Sequence, residues 1–139
     1  NMLNVRCEAL KVSLRDDGSD MGPESNCWMA EDAFGYNYPE ESGVTGTRWD
    51  IMQRKNILIV DDINDTGATF NWIKQDWRSG CLPNEDNAWD SVWANNVRFA
   101  TLTNNDASEF DDVRYTCHEI NKAEEDVWLV YPWENVGEY

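Results

Sequence analysis

The sequence predicts an α/β domain built on a mainly parallel sheet, and three observations carry that expectation. Ile57 to Val60 (ILIV) is an unbroken β-branched and leucine run, the composition of a strand covered on both faces. Phe70, Ile73 and Trp77 then recur at spacings of three and four, which places them on one face of a helix spanning Thr66 to Ser79. Further strands are predicted at Val97 to Leu102 and Val127 to Tyr131, with a weaker one at Val113 to Cys117, and strand, helix, strand order is the signature of parallel pairing.

From the amino end, Val5 to Leu14 (VRCEALKVSL) reads as a strand, with Val12 and Leu14 on one face by the two-residue period. Residues 15–55, Arg15 to Lys55, are mostly polar and hold most of the glycines, with only scattered apolar residues such as the CWMA at 27–30. A segment of that length without structure is unusual in a compact domain, so it is expected to be a flexible functional loop with a short strand or hairpin inside it. Trp72, Trp77, Trp89 and Trp93 gather around the predicted helix and the segment after it. Packing of that segment on the helix is their expected use, ahead of an oligomer interface.

A length of 139 residues suits a single domain spanning the whole chain, and 41% hydrophobic residues exclude a disordered one. Twenty-seven acidic against 11 basic residues give a formal charge of -16, which repels nucleic acid and anionic membrane alike. No apolar run approaches the ~18 residues of a membrane span, and the opening NMLNVRCEAL lacks a signal-peptide core. A soluble cytoplasmic protein is expected. Cys7, Cys27, Cys81 and Cys117 form no CxxC pair, and His118 is the one histidine, so the cysteines are predicted to be reduced, mostly buried thiols.

The chemistry concentrates in Asn56 to Thr69, NILIVDDINDTGAT. This is the carboxyl end of a strand turning into a helix, the edge where open α/β sheets bind ligands. Thr66, Gly67, Ala68 and Thr69 can bring backbone N–H groups and two hydroxyls together, since Gly67 permits positive φ and Ala68 is small. Helix N-termini bind phosphate in this way. Asp61 and Asp62, just before the turn, suit sugar hydroxyls or a hydrated Mg²⁺. The plainer alternative is a solvated acidic turn with Asp65 as a helix N-cap.

DDINDTGAT on its ILIV strand resembles the phosphoribosyl-pyrophosphate (PRPP) motif of type I phosphoribosyltransferases: an apolar strand, two acidic residues, two variable ones, then DTG and a small residue with Thr. VWLVYPWE at 127–134 is similar to the tail that closes over the purine in the hypoxanthine and xanthine-guanine members. The resemblance implies a three-layer fold with a mainly parallel central sheet. It also implies transfer of ribosyl 5-phosphate from PRPP to a 6-oxopurine with release of pyrophosphate. By the same resemblance Asp61 and Asp62 hold the ribose hydroxyls and Mg²⁺, and Thr66, Gly67, Ala68 and Thr69 cradle the 5′-phosphate. Asp65 completes the PRPP site and faces purine N7 as general base. Trp128 stacks on the base, with a core position as its alternative, Leu129 offers backbone groups to the base edge, and Glu134 reaches a second Mg²⁺ through water. PRPP and a purine base or nucleotide monophosphate are the implied partners, with no nucleic acid or membrane, and the chain is expected to be a homo-oligomer.

Two departures accompany the resemblance. The family's purine-reading lysine, after the strand that follows the PRPP motif, is replaced by FATLTNNDAS, with Thr103, Asn104 and Asn105 in that neighbourhood. The family's first strand and pyrophosphate loop have no counterpart before the strand matched by Val5 to Leu14, so the fold is expected to be N-terminally incomplete, with catalysis impaired and copies associating. Two other functions stand beside the enzyme: a non-catalytic PRPP- or nucleotide-binding regulatory module of the same fold, and a response-regulator receiver, suggested by ILIVDD and Asp106.

Overall fold

The computed structural model describes residues 3–12, 26–37, 49–85 and 87–134. Within them lie two α-helices, α1 (Cys27–Phe34) and α2 (Ala68–Gly80), and three strands, β1 (Ile57–Asn64), β2 (Val97–Asn105) and β3 (Val113–Ile120), with 3₁₀ turns at Ile51–Gln53 and Ala88–Ser91. The sheet is wholly parallel, in the order β1-β2-β3. Its α/β character agrees with the sequence reading.

The ILIV run forms β1, which continues through both aspartates to Asn64. It pairs in register with β2 from Ile57–Val97 to Asn64–Asn104. β2 alternates strictly, with Val97, Phe99, Thr101, Thr103 and Asn105 buried. That face carries α2, whose Phe70, Ile73 and Trp77 stripe packs against Ile59, Val97 and Phe99. Burying each such apolar side chain contributes about 1.5–3 kcal/mol. The aromatic cluster forms as expected: Trp93 stacks on Trp77 at 5.5 Å, and Trp89 lies 6.1 Å from both, so the segment after α2 folds back onto the helix.

Four expectations are corrected. The opposite sheet face is open, with Leu58 54% and Val60 65% exposed and Leu102 and Tyr115 also in solvent. A continuous apolar run therefore marks a strand here without marking two covering layers. Val5 to Leu14 forms no strand among its described residues, although Leu10 and Val12 pack against the core; Leu14 lies outside the described residues. Val127 to Tyr131 is likewise irregular, with no strand pairing among the described residues. The stretch predicted as loop contains α1, which buries Met29, Ala30 and Ala33, and a single antiparallel bridge joins Tyr36 to Trp49. Within that stretch, 15–25 and 38–48 lie outside the described residues.

The cysteines also differ from expectation. Cys27 and Cys81 form a disulfide between the start of α1 and the residue after α2, with Cα atoms 5.3 Å apart, while Cys7 and Cys117 are free and exposed. Their separation of 54 residues carries no spacing signal that predicts the bond. Among the described residues, no helix is long and apolar enough to cross a membrane.

Candidate functional site

The carboxyl ends of β1 and β2 converge on the turn from Asp65 to Gly67. Gly67 precedes α2 with φ 89° and ψ -1° and gives the helix no side-chain cap, so Asp65 is not its N-cap. A Cβ on Gly67 would lie 2.6 Å from Phe110 N, because the chain beyond β2 crosses directly against the turn. Glycine is required there by both torsion and space. Thr66 Oγ1 accepts from the Ala68 N–H at 3.3 Å, and the Thr66 carbonyl accepts from the Glu109 N–H at 3.0 Å. The first N–H groups of α2 have no carbonyl one turn back within the helix, the situation that makes helix N-termini receptive to anions.

Asparagines brace this turn. Buried Asn64 donates to Asn104 Oδ1 at 2.9 Å and to the Phe110 carbonyl at 3.0 Å, and accepts from Ser108 Oγ at 3.1 Å. Buried Asn105 donates to the Asp65 carbonyl at 2.8 Å and accepts from the Lys122 N–H at 3.0 Å. Asn105 is thus committed to the scaffold, and Asn104 accepts from Asn64. Thr103 Oγ1 lies 3.0 Å from the Tyr131 hydroxyl.

The acidic residues differ in setting. Asp61, Asp62 and Ile63 are all half-buried, ending the strict alternation of the preceding strand. Asp61 Oδ1 accepts from the Asp62 N–H at 2.9 Å, and Asp62 Oδ1 from the Ile63 N–H at 2.8 Å. Burial pushes the Asp61 carboxyl above its usual range; the Asp62 N–H partly offsets this, and the Asp62 carboxylate adds to it. Two neighbouring, partly desolvated carboxylates are stabilised by a divalent cation, and Mg²⁺ is commonly held by one or two carboxylates with water and substrate phosphate completing its shell. The Asp61–Asp62 pair fits that role. No larger group of metal-ligating side chains occurs among the described residues, and Glu134 lies exposed in a turn closed by its N–H to the Tyr131 carbonyl.

Asp65 has a partner that sequence reading did not single out. Both its carboxylate oxygens lie 3.0 Å from Lys122 Nζ. The same ammonium sits 5.7 Å from the ring centre of Trp128, which is 83% exposed and so does not belong to the core. Tyr131 closes the group: its hydroxyl donates to the Asp62 carbonyl at 3.1 Å, and its ring stacks on Trp133 at 4.7 Å. The tail at 127–134 therefore lies across the end of the sheet beside the acidic motif, with Leu129 half-buried within it. Nothing local announces Lys122, which stands 57 residues from the carboxylate it meets. Comparison of the chain with protein-family models, with curated proteins and with solved structures found no match.

Proposed function

We propose that the chain binds PRPP and transfers its ribosyl 5-phosphate to a 6-oxopurine, releasing pyrophosphate. One observation carries the reading: the two stretches that resemble phosphoribosyltransferase motifs, about 70 residues apart, meet at one sheet edge through the contacts of Tyr131 with Asp62 and of Lys122 with Asp65 and Trp128. In this reading the turn at Thr66–Thr69 holds the 5′-phosphate, and Asp61 and Asp62 hold the ribose hydroxyls. Their negative charge stabilises the positive charge that develops on the sugar as pyrophosphate departs. Bound Mg²⁺ would neutralise the leaving group, with Asp61 and Asp62 as its ligands and Glu134 reaching a second Mg²⁺ through water. Asp65 takes the proton from purine N7 as the other nitrogen of the five-membered ring attacks the sugar, a contribution of about 10²–10⁴-fold. Trp128 and Leu129 line the base position.

A second reading, a non-catalytic PRPP- or nucleotide-binding regulatory module, is favoured by the Lys122 ammonium, which engages both oxygens of the candidate base. Association into a homo-oligomer accompanies either reading, supported by the open face at Leu58, Val60 and Leu102. A cytoplasmic site of action also belongs to the proposal. The Cys27–Cys81 disulfide, a bond uncommon in reducing compartments, weighs against that location. Incubation with PRPP, Mg²⁺ and hypoxanthine separates the two readings. Nucleotide and pyrophosphate formed in equal amounts, and lost in Asp65→Asn, support the enzyme; PRPP binding without product supports the module; no PRPP binding rejects both.

A further inference from the structure

We infer that the cleft at the amino end of the sheet is a second binding site, which takes a small organic acid by its carboxylate. The cleft encloses about 510 Å³, the size of a small-molecule site, and opens where β1 and β2 begin, at the end opposite the Asp61 to Thr69 turn. Its occupancy is independent of the PRPP reading. Arg98, Tyr115 and Leu58 line it together with Asn56, Asn95 and Asn96. No acidic side chain lines it, although the chain carries 27 acids.

Arg98 carries the inference. Arg6, Lys55, Lys74, Arg114 and Lys122 each pair with a carboxylate, whereas Arg98 meets none among the described residues. Its Nε donates to the Asn95 carbonyl at 3.2 Å and its Nη1 to the Tyr115 hydroxyl at 2.7 Å, which leaves Nη2 without a partner among the described residues. Because the Tyr115 oxygen accepts that bond, its own proton can donate to a ligand. The cleft thus concentrates donors, and a planar guanidinium matches the two oxygens of a carboxylate. Its amide walls are set beforehand: Asn96 donates to the Ala33 and Lys55 carbonyls, and Asn95 to the Ser91 carbonyl. Leu58, 54% exposed, and Tyr115, 49% exposed, offer surface that an apolar ligand body covers. The net charge of -16 does not exclude an anion here, since salt screens exposed charges beyond about 8 Å and the one charge lining the cleft is the guanidinium.

The test is titration calorimetry of the whole chain with benzoate, benzamide and inorganic phosphate, for the wild type, Arg98→Met and Tyr115→Phe. Benzoate should bind the wild type with a Kd of about 1 mM or tighter. Benzamide, its neutral isostere, should bind at least about tenfold more weakly, the effect of one hydrogen bond to a charged group. Arg98→Met should lose about tenfold or more of the benzoate affinity, and Tyr115→Phe a smaller part of it. Phosphate, which has no apolar body, should fail to displace benzoate at equal concentration. Both substituted residues are exposed, so the variants should fold, and the comparison of benzoate with benzamide in the wild type decides the inference without them. No benzoate binding by the wild type, equal binding of benzamide, displacement by phosphate, or undiminished benzoate affinity in Arg98→Met would overturn it.

Discussion

Replacing Gly67 by alanine strains the structure at the one point where fold and candidate site share an atom-scale constraint. The residue holds φ 89°, and a side chain in left-handed backbone costs about 1–2 kcal/mol. The added Cβ would also stand 2.6 Å from Phe110 N, 2.9 Å from Phe110 Cβ and 2.9 Å from Ser108 Oγ. Because the nearest atom is backbone, no change of rotamer relieves the contact. The 108–110 segment must move, loosening the bonds from Phe110 N–H to Ser108 Oγ and from Ser108 Oγ to Asn64 Oδ1. Overpacking of this kind costs about 1–3 kcal/mol. The sum, about 2–5 kcal/mol, is a large part of a typical domain's stability. Gly80→Ala provides the control, since its Cβ meets only Asp76 Oδ1, at 3.6 Å, and alanine is the better helix former. Urea unfolding followed by tryptophan fluorescence reads both. A Gly67→Ala change within about 0.5 kcal/mol of wild type, or a Gly80→Ala change equally severe, would refute the reasoning.

Three further outcomes follow from other parts of the molecule. Loss of the Cys27–Cys81 bond frees a 54-residue loop and should lower stability by about 4 kcal/mol by loop-closure entropy; denaturant midpoints with and without reductant measure it, and four reactive thiols in the unreduced native protein would contradict it. Asp61 has a raised carboxyl pKa, so the folded state binds its proton more tightly than the unfolded chain, and stability falls as pH climbs through and just above the ordinary carboxylate range. Asp61→Asn should therefore stabilise the fold at pH 7 and give no such gain below that range; destabilisation at pH 7 in thermal melts would reverse the argument. On β1, Ile59→Ala should cost about 2–5 kcal/mol, whereas Val60→Ser on the open face should stay near 0.5 kcal/mol in dilute protein, and equal costs would mean that both faces are covered.

Some of this was legible in the sequence because it is local. The β-branched run at Ile57 to Val60 and the Phe70, Ile73, Trp77 spacing each encode an element within a few residues, and both elements form. Whether a strand-like segment joins a sheet depends on a partner elsewhere, so the described part of Val5 to Leu14, at 5–12, and Val127 to Tyr131 carry strand-like composition without a ladder. α1 was obscured because only Met29, Ala30 and Ala33 are buried, and two of these are too small to raise an apolar signal. At the site, Asp61 to Thr69 is contiguous and could be read directly. Lys122 and Asn105 meet Asp65 from 57 and 40 residues away, through contacts that exist only after β2 and β3 align. The Cys27–Cys81 pairing is hidden for the same reason.

The central claim is that the end of β1 and the turn after it form a PRPP site. Titration calorimetry with PRPP and Mg²⁺ tests it most directly, in the wild type, Asp61→Asn, Asp62→Asn and Asp65→Asn. The account predicts measurable wild-type affinity, a loss of about tenfold or more in Asp61→Asn and in Asp62→Asn, and near-normal affinity in Asp65→Asn, whose carboxylate serves the base. Affinity unchanged by both the Asp61 and Asp62 substitutions, or no PRPP binding by the wild type, would contradict it.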